Sequence, residues 1–217
     1  MDSAFSHAEL TGLPLRADVL EALERAGVNW KTARVEAKRE IASRYGLSPV
    51  QPLAFIFGGS QGSQAINAVI AQSRSTFESR GISVLHGVGK NNALPESSPT
   101  YKALSYIDDM ALCYLAADLL ISRSGAVTCA EATALVRYSL FIPLPIGNGE
   151  QSLNARSLVE AGRAQIIEQS KFTAPWLDEN IGHLLEESAS RPDEADATSA
   201  GAADKIVKII ERAVGHK

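Results

Sequence analysis

Cysteine is scarce in this chain: Cys113 and Cys129 are the two present in 217 residues. Such a count excludes a disulfide framework and the ligand spacings of a zinc site, and it fits a reducing, cytoplasmic compartment. Positive charge is not in excess either. Lys and Arg number 21 against 25 Asp and Glu, a formal net charge of −4. A general nucleic-acid binder needs a basic face to neutralise phosphates, so no nucleic-acid partner is expected, although local basic groups can still meet a small anion. Apolar runs fall short of the ~20 residues of a membrane span. The opening Met1-Asp2-Ser3-Ala4-Phe5 has neither the basic nor the apolar region of a signal peptide. Peripheral membrane contact is left open. An Asp-x-Asp motif is missing too, since Asp108 and Asp109 are adjacent and suit a helix cap before Met110. No metal or cofactor is therefore expected.

What is present is a globular balance, with 45% hydrophobic and 21% charged residues. From Pro52 to about Gly215 short apolar runs alternate with longer amphipathic ones. The strand candidates are Leu53–Phe57, Ile82–His86, Ala103–Tyr106, Asp118–Ser122, Ser139–Ile142 and Ala164–Ile167. They are near-continuously apolar and bounded by Gly, Pro or Ser, as buried parallel strands are. Helix patterns fall at Gln61–Ser79, Met110–Ala116, Ala126–Val136, Gln151–Ala161, Pro175–Ser190 and Ala203–Val214. This alternation predicts an α/β fold, a doubly wound parallel sheet flanked by helices with right-handed crossovers.

Residues 1–51 behave differently. Arg16–Tyr45 is charged and helix-prone, with Leu20, Leu23, Ala26 and Val35 as sparse apolar positions, and Ser48–Pro52 reads as a linker. The expected division is a connector over 1–51, suited to packing on something else, and a ligand-binding domain over 52–217. The polar stretch Glu186–Asp196 is expected to form a mobile loop.

Three turns carry the chemistry. Leu53–Phe57 runs into Gly58-Gly59-Ser60-Gln61-Gly62-Ser63, and a helix pattern follows. Glycines there allow positive φ and close approach of a ligand, the helix N-terminus suits phosphate, and Ser60 adds a hydroxyl. No Gly-Lys-Ser/Thr follows, and Gly-x-Gly-x-x-Gly is not matched, so neither a P-loop nor a dinucleotide fingerprint is read. A tight turn without ligand is the competing reading. The segment Arg123-Ser124-Gly125-Ala126-Val127-Thr128-Cys129-Ala130-Glu131 again follows an apolar strand and opens a helix. Ser124 is the candidate N-cap, and Ser124, Thr128 and Glu131 share a helical face. A carboxylate so placed can accept from both hydroxyls of a ribose, whereas the plain alternative is a solvated glutamate. Finally, Pro143–Asn154 holds turn residues followed by Gln151 and Asn154, three apart, whose amides suit sugar hydroxyls. A turn with a capping Gln151 is the alternative.

Together these segments resemble the MurG family of UDP-N-acetylglucosamine transferases, which complete the lipid-linked peptidoglycan precursor. The resemblance rests on Thr11-Gly12-Leu13-Pro14-Leu15-Arg16, Gly58–Gly62, Tyr106-Ile107-Asp108-Asp109-Met110, Arg123–Ala126, Glu131, and Gly149-Glu150-Gln151 with Asn154, in family order. It implies the C-terminal, donor-binding half of a GT-B fold. It also implies site roles. Arg16 and Ser60 would contact the charged or sugar part of the donor, and Ile107 the uracil through its backbone. Ala126, Val127, Thr128, Cys129 and Ala130 would line the diphosphate-binding helix end. Glu131 would bind ribose, and Gln151 the N-acetylglucosamine. Leu13 and Cys129 depart from common family choices, and the family's N-terminal domain, with its histidine and lipid-acceptor surface, has no counterpart here. His7, His86, His183 and His216 stand in no matching context and read as exposed or strand-end residues, so no general base is assigned.

The implied reaction is transfer of N-acetylglucosamine from UDP to lipid-linked muramyl-pentapeptide, with inversion, on the cytoplasmic face of the membrane. Two alternatives stay open. One is a donor-binding module without turnover; the other is a UDP-N-acetylglucosamine 2-epimerase-like enzyme.

Overall fold

The computed structural model describes residue 9 and residues 11–27, 29–135, 138–146, 148–191 and 202–214. Strand β1, Leu53–Phe57, is buried along its whole length, so both faces of its sheet must be covered. It lies between β2 (Ser83–Gly87) and β4 (Leu119–Ser122), with β3 (Tyr101–Leu104) outside β2 and β5 (Ser139–Phe141) and β6 (Ala164–Ile166) outside β4. All five pairings are parallel, and the order is β3-β2-β1-β4-β5-β6. The doubly wound expectation holds.

Alternation along the strands sorts the helices. Leu53, Phe55 and Phe57 point to a core shared with α1 (Ala17–Ala26), α2 (Trp30–Tyr45), α5 (Met110–Ala116), α6 (Ala126–Leu135) and α8 (Arg156–Glu160). Ala54 and Ile56 point to the other face, against α3 (Gln64–Gln72), α4 (Arg74–Ser79) and α9 (Ala174–Ala189). Two further helices remain, the short α7 (Glu150–Asn154) and the longer α10 (Ala202–Val214).

Several boundaries move for local reasons. The Gln61–Ser79 pattern starts only at Gln64, where Ser63 accepts from the Ile66 N–H, and breaks at Ser73, whose hydroxyl bonds back to the Val69 carbonyl at 2.8 Å. The Gln151–Ala161 pattern divides at Ala155. Strand β3 sits two residues earlier than expected because Tyr101 pairs in register with Val84. Within Glu186–Asp196, Glu186–Ala189 continue α9 rather than forming a loop, tied down by an Arg191–Glu187 ion pair at 2.5 Å; residues 192–200 lie outside the described residues.

The leading segment does not wait for another surface. Val19, Ala22 and Ala26 of α1 and Ala37 and Ile41 of α2 are buried in the same core as Phe55. Arg34 drives into that contact, donating to the Leu135 carbonyl at 3.2 Å and to the Ala117 carbonyl, and Lys38 pairs with Asp118 at 2.5 Å. Alanines and a buried arginine, with Val19 and Ile41, make this seam, so the pattern of large apolar residues gave little sign of it. Val35, one of the apolar positions singled out, is 42% exposed.

His86 is the strand-end histidine of the sequence reading, near the end of β2, and it is buried in the core. Its ring nitrogens meet the Tyr101 hydroxyl at 2.7 Å and the Asn67 Oδ1 at 3.0 Å, and burial lowers its pKa to about 4. His183 is exposed on α9, and His7 and His216 lie outside the described residues. A folded pKa below the unfolded value near 6.5 leaves the unfolded chain binding more protons between those limits. Stability is therefore expected to be full above pH ~6.5 and to fall by up to about 3 kcal/mol as pH drops toward 4. Urea midpoints across that window check this: His86→Gln should flatten the slope, and an unchanged slope would clear His86 of the role.

Candidate functional site

The chain leaves β1 toward one side of the sheet and β4 toward the other, so a crevice opens at their carboxyl ends. The turn Gly58–Ser63 closes one wall and Arg123–Gly125 the other. Glycine is needed on the first wall for two different reasons. Gly59 and Gly62 adopt φ of +95° and +75°. Gly62 also faces Gly89, which follows β2 at φ +93°, with the backbones so close that a Cβ on Gly89 would lie 2.3 Å from the Gly62 nitrogen.

Beside the first wall, between it and α6, lies a cleft of about 360 Å³. Arg16, Ser60, Ile107, Val127, Thr128 and Glu131 all line it. A second hollow of about 620 Å³ adjoins it, shares Gly59 and Thr128, and holds Gln151 with Arg123 and Gln169. The two hollows meet at Gly59 and Thr128 and together make the groove over the switch point. Glu131 is buried at 2% exposure and receives the Arg16 Nε at 2.6 Å, so it is neither solvated nor unpaired. The Arg16 guanidinium is held above its ordinary pKa: partial burial opposes the charge, and the Glu131 carboxylate outweighs it. Ile107 is seated low because Gly87 carries no side chain; a Cβ there would meet Ile107 Cγ1 at 3.1 Å.

Other expected residues are placed differently. Ala126, Cys129 and Ala130 lie on the far flank of α6, where they line a separate hollow with Thr11, Gly12 and Leu13. Their backbone belongs to the first turns of α6, but their side chains do not enter the cleft. Cys129 is a buried thiol, pushed up to about 12 by desolvation. Ser124 does not cap α6, because its hydroxyl is buried and without a hydrogen-bond partner. Asn154 and Gln151 diverge: the Asn154 amide donates to the Ser124 carbonyl at 3.1 Å, while Gln151 Oε1 accepts from the Leu144 N–H at 3.0 Å. Asp109 caps α5 as expected, accepting from the Leu112 N–H at 3.2 Å.

Sequence reasoning assigned no role to four contributors. Tyr114 lines the cleft from within an apolar helix, where nothing marks it off from core. Gly87 and Gly89 had a readable signal, two glycines ending a strand. Arg123 forms four bonds, to the Ile142 and Pro143 carbonyls at 2.9 and 3.1 Å, to Ser63 Oγ at 2.8 Å and to Gln169 Oε1 at 2.6 Å. It thereby ties the Gly-rich turn to the loops beyond β5 and β6, and burial lowers its pKa. Among the described residues no His, Cys, Asp and Glu cluster could hold a metal.

The paired glycines predict a contrast. Gly59→Ala should cost about 1–2 kcal/mol, because its φ is positive but its Cβ meets open space. Gly89→Ala should cost more, since its Cβ strikes backbone. Urea unfolding of both variants checks this, and equal losses would mean the turns are not in contact.

Comparison with known proteins bears on the family and the fold. The glycosyltransferase family 28 C-terminal domain matches residues 53–212. A UDP-N-acetylglucosamine–N-acetylmuramyl-(pentapeptide) pyrophosphoryl-undecaprenol N-acetylglucosamine transferase from Streptomyces coelicolor is 39% identical over 189 residues, covering 85% of this chain and 49% of that protein. The protein of the same name from Thermobifida fusca is 40% identical, covering 90% of this chain and 52% of its own length. The chain thus spans about half the length of the curated relatives it matches. Among solved structures, Acinetobacter baumannii MurG superposes with a TM-score of 0.61 at 26% identity, over 81% of this chain and 53% of that one. The calicheamicin glycosyltransferase CalG4 shares the fold, with a TM-score of 0.60 at 16% identity over 77% of this chain and 43% of its own.

Proposed function

The chain belongs to the glycosyltransferase family 28 C-terminal domains, and from that premise we propose that its groove binds UDP-N-acetylglucosamine as the donor half of an N-acetylglucosaminyltransferase. One observation carries the reading: a buried carboxylate, Glu131, stands in the same cleft as Ser60, Ile107 and Thr128 at the start of α6. Residues 52–217 make the donor domain, and residues 1–51 lead into it.

The roles follow along the groove. Ile107, set low beside Phe57 and Gly87, presents backbone groups to uracil. Glu131 accepts from the ribose hydroxyls. The N-terminal amides of α6 face the diphosphate and stabilise the charge that builds on UDP as the sugar leaves. Here Ala126 to Ala130 contribute backbone, with Val127 and Thr128 also lining the cleft. Arg16 and Ser60 meet the charged or sugar part of the donor. Gln151 commits its oxygen to Leu144, so it offers amide N–H donors to the sugar.

The acceptor is a lipid-linked muramyl-pentapeptide, as the names of the similar transferases indicate. Attack on the sugar carbon with inversion requires a second wall to hold that acceptor, since alignment contributes much of the rate in such transfers. Work on a lipid-linked acceptor implies peripheral contact with the cytoplasmic face of the membrane. No helix among the described residues is long and apolar enough to cross one.

Calorimetric titration with UDP-N-acetylglucosamine, paired with a transfer assay on lipid acceptor, tests the reading. Binding is expected; its absence in folded protein would sink it, and a 2-epimer product would reassign the chemistry. Glu131→Ala should weaken UDP by about 1–3 kcal/mol through lost ribose hydrogen bonds. UMP should lose the same amount, because the contact does not involve the β-phosphate. Gln151→Ala should weaken UDP-N-acetylglucosamine while leaving UDP unchanged, and equal losses for both would move Gln151 off the sugar.

A further inference from the structure

Resting on the reading of the cleft as a nucleotide site, we propose that Tyr114 is a positioning residue for ribose, its hydroxyl holding the Glu131 carboxylate when a vicinal diol docks there. The starting observation is an unmet donor. Tyr114 is fully buried, and its ring stands edge-on to Phe55 and Phe57 with centroids 5.7 and 6.0 Å away. Its hydroxyl nevertheless stands beside the Glu131 carboxylate and the Thr128 side chain without a well-formed hydrogen bond to either, in the cleft that Arg16 also lines. A phenylalanine would fill this space without leaving a polar group unpaired. The hydroxyl is therefore placed to complete its bond to Glu131 once a ligand orients the carboxylate.

Glu131 supplies that use. An ionised carboxylate has about four acceptor positions. Arg16 Nε occupies one, at 2.6 Å, and the burial of Glu131 keeps bulk water from filling the rest. Two hydroxyls of a ribose account for two more. The phenol O–H, anchored by its aromatic neighbours, takes the last and fixes the carboxylate plane toward the diol. It stays a donor throughout, because burial and then the Glu131 charge raise its pKa well above the ordinary phenol value. Tyr114 touches no reacting atom; it acts through Glu131.

Tyr114→Phe tests this in the full chain, by calorimetry with UDP and 2′-deoxy-UDP and by urea unfolding. UDP affinity should fall about tenfold, 2′-deoxy-UDP affinity should change by less than about twofold, and the urea midpoint should not decrease. A purely structural hydroxyl would instead lower the midpoint and weaken both nucleotides alike. That result, or unchanged UDP affinity in the folded variant, overturns the role of Tyr114 while leaving the cleft's assignment intact. If the parent chain binds neither nucleotide, the assignment of the cleft fails and the inference falls with it.

Discussion

Parallel strands cannot be joined without crossing over a face of the sheet, and the whole site follows from that constraint. The connection out of β1 crosses on the face of α3, while the one out of β4 crosses on the face of α6. Two neighbouring strands thus send their chains apart, and the gap between them is ringed by the first turns of two helices. Each turn leaves amides without intrahelical partners. The sheet makes an anion-friendly crevice before any side chain is specified, and it does so in a position walled by backbone.

Side chains then convert that general affinity into a specific one. The Gly58–Ser63 turn is pressed against Gly89, which fixes the first wall by direct backbone contact. The second wall is fixed by Arg123, whose guanidinium reaches Ser63 across the crevice while also holding the loops after β5 and β6. Behind α6, the seam of α1 and α2 secures the helix that carries Glu131, because Arg34 binds the Leu135 carbonyl at that helix's end. A buried carboxylate is costly unless it is paired, and here the pairing comes from Arg16 at the head of α1. The leading segment is thus coupled to the site electrostatically as well as through the core.

Much of this was legible in the residues. The strands were found because both faces of the sheet are covered, so each reads as an unbroken apolar run; Leu53–Phe57 matches to the residue. Both turns at the switch point were legible for the same reason, since glycine after such a run has few other uses. The seam of α1 and α2 was hidden because much of it is Ala22, Ala37 and Arg34, which hydropathy does not count as core, and Val19 and Ile41 were not among the apolar positions read there. Ser124 misled because a hydroxyl before a helix ordinarily caps it, whereas here its oxygen is buried without a partner. Helical spacing alone put Gln151 and Asn154 on a common point, but α7 is a single short turn, and Asn154 is drawn back to the Ser124 carbonyl. Tyr114 was invisible for the opposite reason: an aromatic amid Leu, Ala and Cys reads as filler, and only its unpaired oxygen sets it apart.

Hydrogen-bond saturation separates scaffold from receptor around the groove. Arg123 spends four of its five N–H donors on partners drawn from three loops, so most of its chemistry goes to holding walls in place. Gln151 is half spent, its oxygen used and its N–H donors left over. Tyr114 is unspent, and Glu131 holds a buried charge against a single arginine that is itself 43% exposed at the side chain. Unmet polar capacity below the surface lowers the stability of the empty protein. It also means that a ligand with matching hydroxyls gains bonds without displacing well-made ones. On the proposed reading, pre-organisation in this groove lies in the gradient from Arg123, most of whose donors are used, to Tyr114 and Glu131, so that a ribose would sit on the α6 side and a sugar toward Gln151.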